Sequence, residues 1–327
     1  MGNYFLAIDQ GTTSTRTVLY GSNFTALDQN QIEIRQYYPR PGYVEHDAQE
    51  IWDKTFSTVS SLLEKNGLDA SQIISIGITN QRETIVGWDQ KTGKPIGRAI
   101  VWQDKRTTDY CKTLQNQGVE KEVIEKTGLL LDPYFSASKL RWLNDNFKEE
   151  IVNKNILFGT IDTFLLWKLT KGDVYATDVS NAARTSLLNI STLDWDQDLI
   201  KLFELEKINL PEIKKNADDF GSTTLFGGDI KISGMAGDQQ AALFGQTCFE
   251  AGDIKSTYGT GCFLILNTGN QILRSQNKLL TTIGYKIDQE VVYALEGSIF
   301  IAGALIQWLR DKMKFFISAP ESEGLAK

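Results

Sequence analysis

Histidine is almost missing from this sequence: His46 is the single one in 327 residues. That excludes a histidine-rich metal site. It also argues against a Ser-His-Asp hydrolase, because Tyr43-Val44-Glu45-His46-Asp47 reads as the start of a helix. Acid and base chemistry is left to carboxylates. Cysteine is scarce too, and Cys111, Cys248 and Cys262 form an odd set without CxxC spacing. Neither a disulfide framework nor a thiolate zinc site is indicated, and a reducing cytoplasm is the expected location. No stretch nears the ~18 continuous apolar residues of a membrane span, and the run Tyr4 to Ile8 meets Asp9 too soon for a signal peptide. Leu6 stands where the myristoylation pattern needs Ser or Thr. Net positive charge is lacking as well. At −7, with a pI near 5.0, the chain repels phosphodiester backbones, so nucleic acid is not an expected partner.

What is present is ordinary globular material. Hydrophobic residues make up 41% and charged residues 23%, enough for more than one core. The opening reads as two extended segments, Tyr4 to Asp9 and Thr15 to Tyr20, around the polar turn Gln10 to Ser14, with a third at Gln31 to Tyr37. Asp47 then caps an amphipathic helix that carries Ile51, Trp52, Phe56, Val59, Leu62 and Leu63 and ends near Asn66-Gly67. Ile73 to Ile78 has the continuous β-branched character of a buried strand. Further strands are expected at Thr84 to Trp88 and Ala99 to Trp102, with helices at Lys105 to Gln117, Ser136 to Asn144 and Asp162 to Leu169. Strands and helices alternate, so the fold class is α/β. Ile254 to Asn267 echoes the N-terminal hairpin, with Gly259-Thr260-Gly261 in its turn, which suggests a duplicated architecture.

Two motifs carry candidate chemistry. Asp9-Gln10-Gly11-Thr12-Thr13-Ser14-Thr15-Arg16 sets a carboxylate at a strand end, then hydroxyls and backbone N–H groups, then a guanidinium. Such a turn can surround phosphoryl oxygens while Asp9 holds Mg²⁺, directly or through water; it can equally be a plain polar hairpin turn. Asp238 follows a glycine at the start of a second expected helix, within Gly234 to Gly245. The helix N-terminus should keep its carboxylate ionised and able to take a proton from an attacking hydroxyl, although a simple capping role fits the same position.

Together with Thr79-Asn80-Gln81-Arg82-Glu83-Thr84, Trp102-Gln103-Asp104, Gly237-Asp238-Gln239-Gln240 and Tyr258-Gly259-Thr260-Gly261-Cys262-Phe263, these motifs resemble the FGGY carbohydrate kinases, collinearly from Tyr4 to about Lys314. Tyr134 to Asn146 fits the family's first signature, with Lys139, Trp142 and Leu143 in place. The resemblance implies an actin-like pair of ribonuclease-H-type units: one complete over residues 1–253, with the polyol site and phosphate hairpin, and a second begun over 254–327. It implies ATP and Mg²⁺ as cofactors and glycerol as the alcohol, with sn-glycerol 3-phosphate as product. Asp238 would be the catalytic base. Arg82, Glu83, Trp102, Tyr134, Asp238, Gln239 and Phe263 would bind the alcohol, with Arg82 donating a planar fork to neighbouring hydroxyls and Glu83 accepting. Thr12, Thr13, Ser14, Arg16, Thr260, Gly303 and Gln307 would contact nucleotide, the last two on one face of the helical stretch 300–313. The resemblance also implies a homo-oligomer at full length, as is common in the family.

Plainer readings of these residues stay open. Arg82 and Glu83 can form a surface ion pair, Trp102 and Phe263 can be core aromatics, and Gly303 can serve helix packing alone. A kinase for another sugar or polyol, or a non-catalytic nucleotide-responsive scaffold on the same fold, is the rival at the level of function. The family's later strands, second signature and a further nucleotide contact do not follow before Lys327. The resemblance therefore leads to an expectation of weak ATP binding and slow turnover, with an exposed sheet edge and helix face near the end of the chain.

Overall fold

The computed structural model describes residues 4–153, 155–259 and 261–327. Its main sheet begins with an antiparallel meander, β1 (Tyr4–Gln10), β2 (Ser14–Gly21) and β3 (Ala26–Glu33). Burial alternates along β1 and β2, so Leu6, Ile8 and Leu19 face the core and their neighbours face away. The third strand lies earlier than expected from the sequence. Ala26-Leu-Asp-Gln-Asn-Gln-Ile-Glu33 is a polar edge strand with little hydrophobic alternation, and Gln36–Tyr37 belongs to a different sheet.

Helix α1 (Ala48–Lys65) starts as its cap predicts: Asp47 Oδ1 accepts from the backbone N–H groups of Gln49 at 2.9 Å and Glu50 at 3.2 Å. Its stripe Ile51, Thr55, Val59 and Leu62 is fully buried against the sheet. The segment before it is a two-residue strand, Glu45–His46, and not part of the helix; His46 is buried, with Nδ1 3.2 Å from Gln81 Nε2. Burial pushes its pKa down to about 4, so the imidazole stays neutral.

Two further strands, β4 (Ile73–Asn80) and β5 (Ile230–Gly237), run parallel to β1, giving the order Ser222–Thr223, β5, β4, β1, β2, β3. In register, Gln10 lies beside Asn80 and Asn80 beside Gly237. Three carboxyl ends therefore finish at one level, where open α/β sheets place their ligands. A second, five-stranded sheet is built from Gln36–Tyr37, Glu45–His46, Ala99–Ile100, Ile85–Asp89 and Ile156–Thr160. Against it pack α2 (Ser136–Asn146), through Ala137, Leu140 and Leu143, and α3 (Ile161–Leu169), which is apolar nearly all round and correspondingly buried.

β5 runs directly into α4 (Asp238–Gly245). A third sheet follows, in the order β6 (Ile254–Tyr258), β7 (Cys262–Gly269), β9 (Glu290–Ile299), β8 (Leu280–Ile287), and then α5 (Gly303–Asp311). The hairpin echo is thus a real β6–β7 hairpin. β6 forms an edge on which Tyr258 is largely exposed, and α5 has no buried residue. Among the described residues no helix is long and apolar enough to cross a membrane.

One glycine couples the parts. Gly128 ends the helix Glu120–Thr127 at φ +79°, and a Cβ there would sit 2.2 Å from the carbonyl oxygen of Thr281 on β8. Gly128→Ala is expected to destabilise the chain by about 2–4 kcal/mol, combining left-handed strain with overpacking. Chemical denaturation should register it, whereas Ala at Gly118, also at positive φ but with nothing within 4 Å, should cost visibly less.

Candidate active site

At the common end of β1, β4 and β5 lies a cavity of about 160 Å³. Thr12 and Thr13 line it from the β1–β2 turn, Arg82 and Glu83 from the loop after β4, and Asp238 and Gln239 from the start of α4. Trp102, Tyr134 and Phe263 supply aromatic walls, and Gly259 and Gly261 of the β6–β7 turn close the far side. The two hairpin turns that echo each other in sequence therefore face one another across a single cavity.

The backbone is bent to make this possible. Glu83 sits at φ +61°, where a non-glycine residue is strained, and its carbonyl accepts from Ser136 Oγ at 3.1 Å at the start of α2. Gly237 is demanded by crowding: a Cβ would meet Cγ and Cδ of Arg82 at 2.7 Å. Lys139, wholly buried, donates to the carbonyls of Tyr134 and Phe135 and so pins the segment that carries the phenol. Burial lowers that lysine to about 8.

Electrostatically the site is a dense cluster. Arg82 is 2% exposed, so it is no surface ion pair. Its NH1 donates to Glu296 Oε2 at 2.6 Å and Gln240 Oε1 at 3.2 Å; its NH2 donates to Glu296 Oε1 at 3.1 Å and Tyr134 Oη at 3.2 Å. These four bonds use the fork that the sequence reading assigned to substrate hydroxyls, which corrects that assignment. What remains for the cavity is Nε–H, with Nε 3.4 Å from Asp238 Oδ1 and 3.7 Å from Glu83 Oε1. Glu83 in turn is held by Arg184 Nε at 2.6 Å. Burial raises the Glu83 carboxyl and the two arginines oppose it, with burial the larger effect.

Asp238 is the first residue of α4, after Gly237 as cap, and Oδ1 accepts the Gln239 backbone N–H at 2.7 Å. Protein surrounds it, yet 39% of its side chain is accessible, because the carboxylate faces the cavity. The helix terminus favours its ionised form. Burial instead raises its pKa, outweighing the Arg82 charge and the Gln239 N–H. Lys255, 1% exposed, donates to Gln239 Oε1 and to Thr257 Oγ1 at 2.9 Å. Burial and the Arg82 charge bring that ammonium down to about 8, against Asp238 and Glu296.

The aromatic wall is continuous. Trp102 meets Tyr134, Phe263 and Phe300 edge-on at centroid distances of 5.7, 5.9 and 5.7 Å, and its Nε1–H donates to Thr12 Oγ1 at 2.9 Å. That bond ties the alcohol side of the cavity to the hairpin turn.

The residues expected to touch nucleotide are only partly brought together. Thr12 and Thr13 line the cavity, Ser14 begins β2 beside them, and Arg16 pairs with Asp9 at 2.6 Å across the hairpin. Gly303 donates its N–H to Gly259 O at 2.9 Å, so the start of α5 abuts the second turn; Gln307 is exposed one turn further on. Thr260 lies outside the described residues. For Mg²⁺, the described residues offer no group of three or more acidic, histidine or cysteine ligands. They offer Asp9 at the carboxyl end of β1, its carboxylate paired with Arg16 at 2.6 Å. That fits a hard cation that keeps several waters and is shared with phosphates.

Comparison with known proteins identifies the family. The model of the FGGY family of carbohydrate kinases, N-terminal domain, matches residues 4–245, and that of the C-terminal domain matches residues 254–326. The chain belongs to the FGGY family of carbohydrate kinases. Glycerol kinase from Rhizobium meliloti (strain 1021) is 54% identical over all of this FGGY chain and 67% of its own length, and glycerol kinase from Marinomonas sp. (strain MWYL1) is 52% identical over the same shares. A crystal structure of Plasmodium falciparum glycerol kinase with ADP superposes with a TM-score of 0.89 at 38% identity, covering 98% of this chain and 65% of that one. The chain thus spans about two thirds of the length of these relatives. Ligand-bound xylulose kinase from Lactobacillus acidophilus, at 24% identity and a TM-score of 0.83 over 94% of this chain and 62% of that one, shares the fold, an actin-like ATPase architecture.

Several residues of this FGGY site escaped the sequence reading: Arg184, Gln240, Lys255, Glu296 and Phe300. Glu296 was detectable in principle as a charge at an inward position of a largely apolar strand, whereas Lys255 lies in the mostly polar strand Ile254–Tyr258. Arg184 follows the four-residue helix Val179–Ala182, where no periodicity marks it.

Proposed function

We propose that this chain carries the alcohol site and the first nucleotide contacts of an ATP-dependent kinase that converts glycerol to sn-glycerol 3-phosphate. The observation that supports it most is the accessible Asp238 carboxylate sharing one small cavity with Arg82, Glu83, Gln239 and the Trp102–Tyr134–Phe263 wall. A small polyol needs acceptors, donors and an apolar face at once, and a ligand without hydroxyls would leave these buried polar groups unpaired. On this reading residues 1–253 form the unit with the polyol site and phosphate hairpin, and 254–327 begin the nucleotide-binding unit.

Phosphoryl transfer asks mainly for positioning and charge neutralisation. Asp238 accepts the proton of the terminal hydroxyl as its oxygen attacks the γ-phosphorus, and Gln239 holds the same hydroxyl. Arg82 Nε–H and Glu83 orient the neighbouring hydroxyls. Thr12, Thr13, Ser14 and Arg16 receive phosphate oxygens from one turn, and Thr260, Gly303 and Gln307 contact nucleotide from the other. Asp9 would hold Mg²⁺, directly or through water, and the ion would supply screening of the phosphate charge. A cytoplasmic location and homo-oligomers of the full-length protein belong to the same reading.

Titration with glycerol tests this directly, because Trp102 is in the wall and its emission should change on binding. Glycerol is expected to bind at least 10-fold more tightly than a pentulose or a tetritol; a preference for either would move the chain to another sugar specificity. A nucleotide-responsive scaffold would show no saturable response to any polyol.

A further inference from the structure

We infer that Glu296 is the positioning residue of the alcohol site: from the third sheet it fixes the guanidinium groups of Arg82 and Arg184, and thereby aims the free donor of Arg82 and the carboxylate of Glu83 at the alcohol. The inference rests on the reading that the cavity takes a polyol.

Glu296 sits on β9, which is hydrogen-bonded on both sides, by β7 and by β8, so its backbone cannot shift independently. It is 0% exposed. Oε2 accepts from Arg82 NH1 at 2.6 Å. Oε1 accepts from Arg82 NH2 at 3.1 Å, Arg184 NH2 at 2.8 Å and Ser298 Oγ at 2.9 Å. Four donors fill what a carboxylate can accept. Burial would raise this carboxyl, but the charges of Arg184 and Arg82 outweigh it and hold it at about 2, so the clamp is ionised at any working pH.

The consequence lies in which atoms are left over. Arg82 has five N–H donors, and the four on NH1 and NH2 go to Glu296, Gln240 and Tyr134. Only Nε–H can meet a ligand. Arg184 spends Nε on Glu83 Oε1 and NH2 on Glu296, so Glu83, Arg184, Glu296 and Arg82 form a chain of alternating charge. Removing Glu296 frees the Arg82 fork, and the nearest carboxylate it can reach across the cavity is Asp238, whose Oδ1 is already 3.4 Å from Nε. A fork lying on Asp238 would occupy the place of the alcohol. The position of a β9 residue thus decides whether the pocket contributed by the β4 loop and α4 is open.

The test uses Glu296→Gln in the 327-residue chain, with glycerol affinity read by calorimetry. We expect the affinity to fall at least 30-fold while far-ultraviolet circular dichroism stays native. The charged groups around Asp238 are Arg82, Glu83, Lys255 and Glu296. With Arg82 turned onto Asp238, the acidic limb of glycerol binding should move to lower pH by half a unit or more, a shift that simple loosening of the fold would not produce. The variant Glu296→Asp keeps the charge and carries the test if Glu296→Gln folds poorly. Positioning predicts that most of the stability is kept there but affinity stays low, since a carboxylate one methylene shorter cannot bridge both guanidinium groups. Affinity kept together with stability in Glu296→Asp, or an unchanged affinity in Glu296→Gln, overturns the inference. Failure of the unaltered chain to bind glycerol or any other polyol would instead overturn the polyol reading beneath it, and the inference with it.

Discussion

Replacing Asp238 by asparagine is expected to lower phosphate transfer from ATP to glycerol by about 1,000-fold, in this chain or any longer form that carries it, while glycerol affinity changes by less than about 5-fold. The asymmetry follows from the atoms. Asn Oδ1 can still accept the Gln239 backbone N–H that Asp238 takes at 2.7 Å, and Arg82 keeps Glu296 as its principal anion. What disappears is the capacity to accept a proton as the hydroxyl attacks. Side-by-side calorimetry and a coupled transfer assay separate the two effects. Equal loss of binding and transfer would make Asp238 a mere ligand contact, and full activity would remove it from the mechanism.

The same residue sets a pH dependence. Burial raises the folded-state pKa of Asp238 despite Arg82 beside it. The carboxylate must be ionised to act as base, so activity is lost as pH falls through this raised value, earlier than for an ordinary aspartate. Its raised pKa also means that the charged form is disfavoured by folding. The site therefore costs the fold stability in full above that pKa, and the cost fades as pH falls, vanishing only below the ordinary aspartate range. On the alkaline side Lys255, at about 8, loses its charge and with it part of its hold on Gln239 Oε1. A transfer profile measured at saturating glycerol should fall on both limbs, and Lys255→Arg should extend the alkaline one.

Much of the fold is legible in the sequence because its signals are local. The β1–β2 hairpin shows period two around a polar turn, and α1 shows a cap and an apolar stripe within twenty residues. β3 does not show itself, because an edge strand made of Asp28, Gln29, Asn30 and Gln31 is stabilised by pairing with β2 and not by burial. In the site, Arg82, Glu83 and Asp238 stand out as charges in glycine-rich or polar turns. Their settings do not. Whether Arg82 offers its fork to substrate depends on Glu296, 214 positions away, and the anchoring of Glu83 depends on Arg184, 101 positions away. Such partners are chosen by the packing of β9 and the Val179–Ala182 helix against the β4 loop, which no local pattern encodes. The upward shift at Asp238 is hidden for a similar reason: a helix N-terminus is visible in sequence, whereas the enclosure that outweighs it is not.

Arg82→Lys should be the most damaging charge-conserving change in the molecule, lowering glycerol affinity by at least 100-fold and stability by about 2–3 kcal/mol. Arg82 makes four hydrogen bonds to three different residues and approaches two further carboxylates, all from one rigid plane. A lysine ammonium has three donors on a single atom and cannot bridge both oxygens of Glu296 while reaching Tyr134 and Gln240. If it settles on Glu296, Asp238 and Glu83 lose the neighbouring positive charge; if it turns to Asp238, Glu296 keeps only Arg184 as a cationic partner in a site with no access to water. Either arrangement leaves a carboxylate of the cluster with one cationic partner fewer, and both leave the alcohol without the Nε–H donor. Thermal unfolding and calorimetry on Arg82→Lys and Arg82→Met divide the contributions. Charge alone predicts that lysine restores most of what methionine loses, whereas the geometry of the fork predicts that lysine recovers part of the stability and almost none of the affinity. A lysine variant that binds glycerol as the parent does would show that the planar group is dispensable.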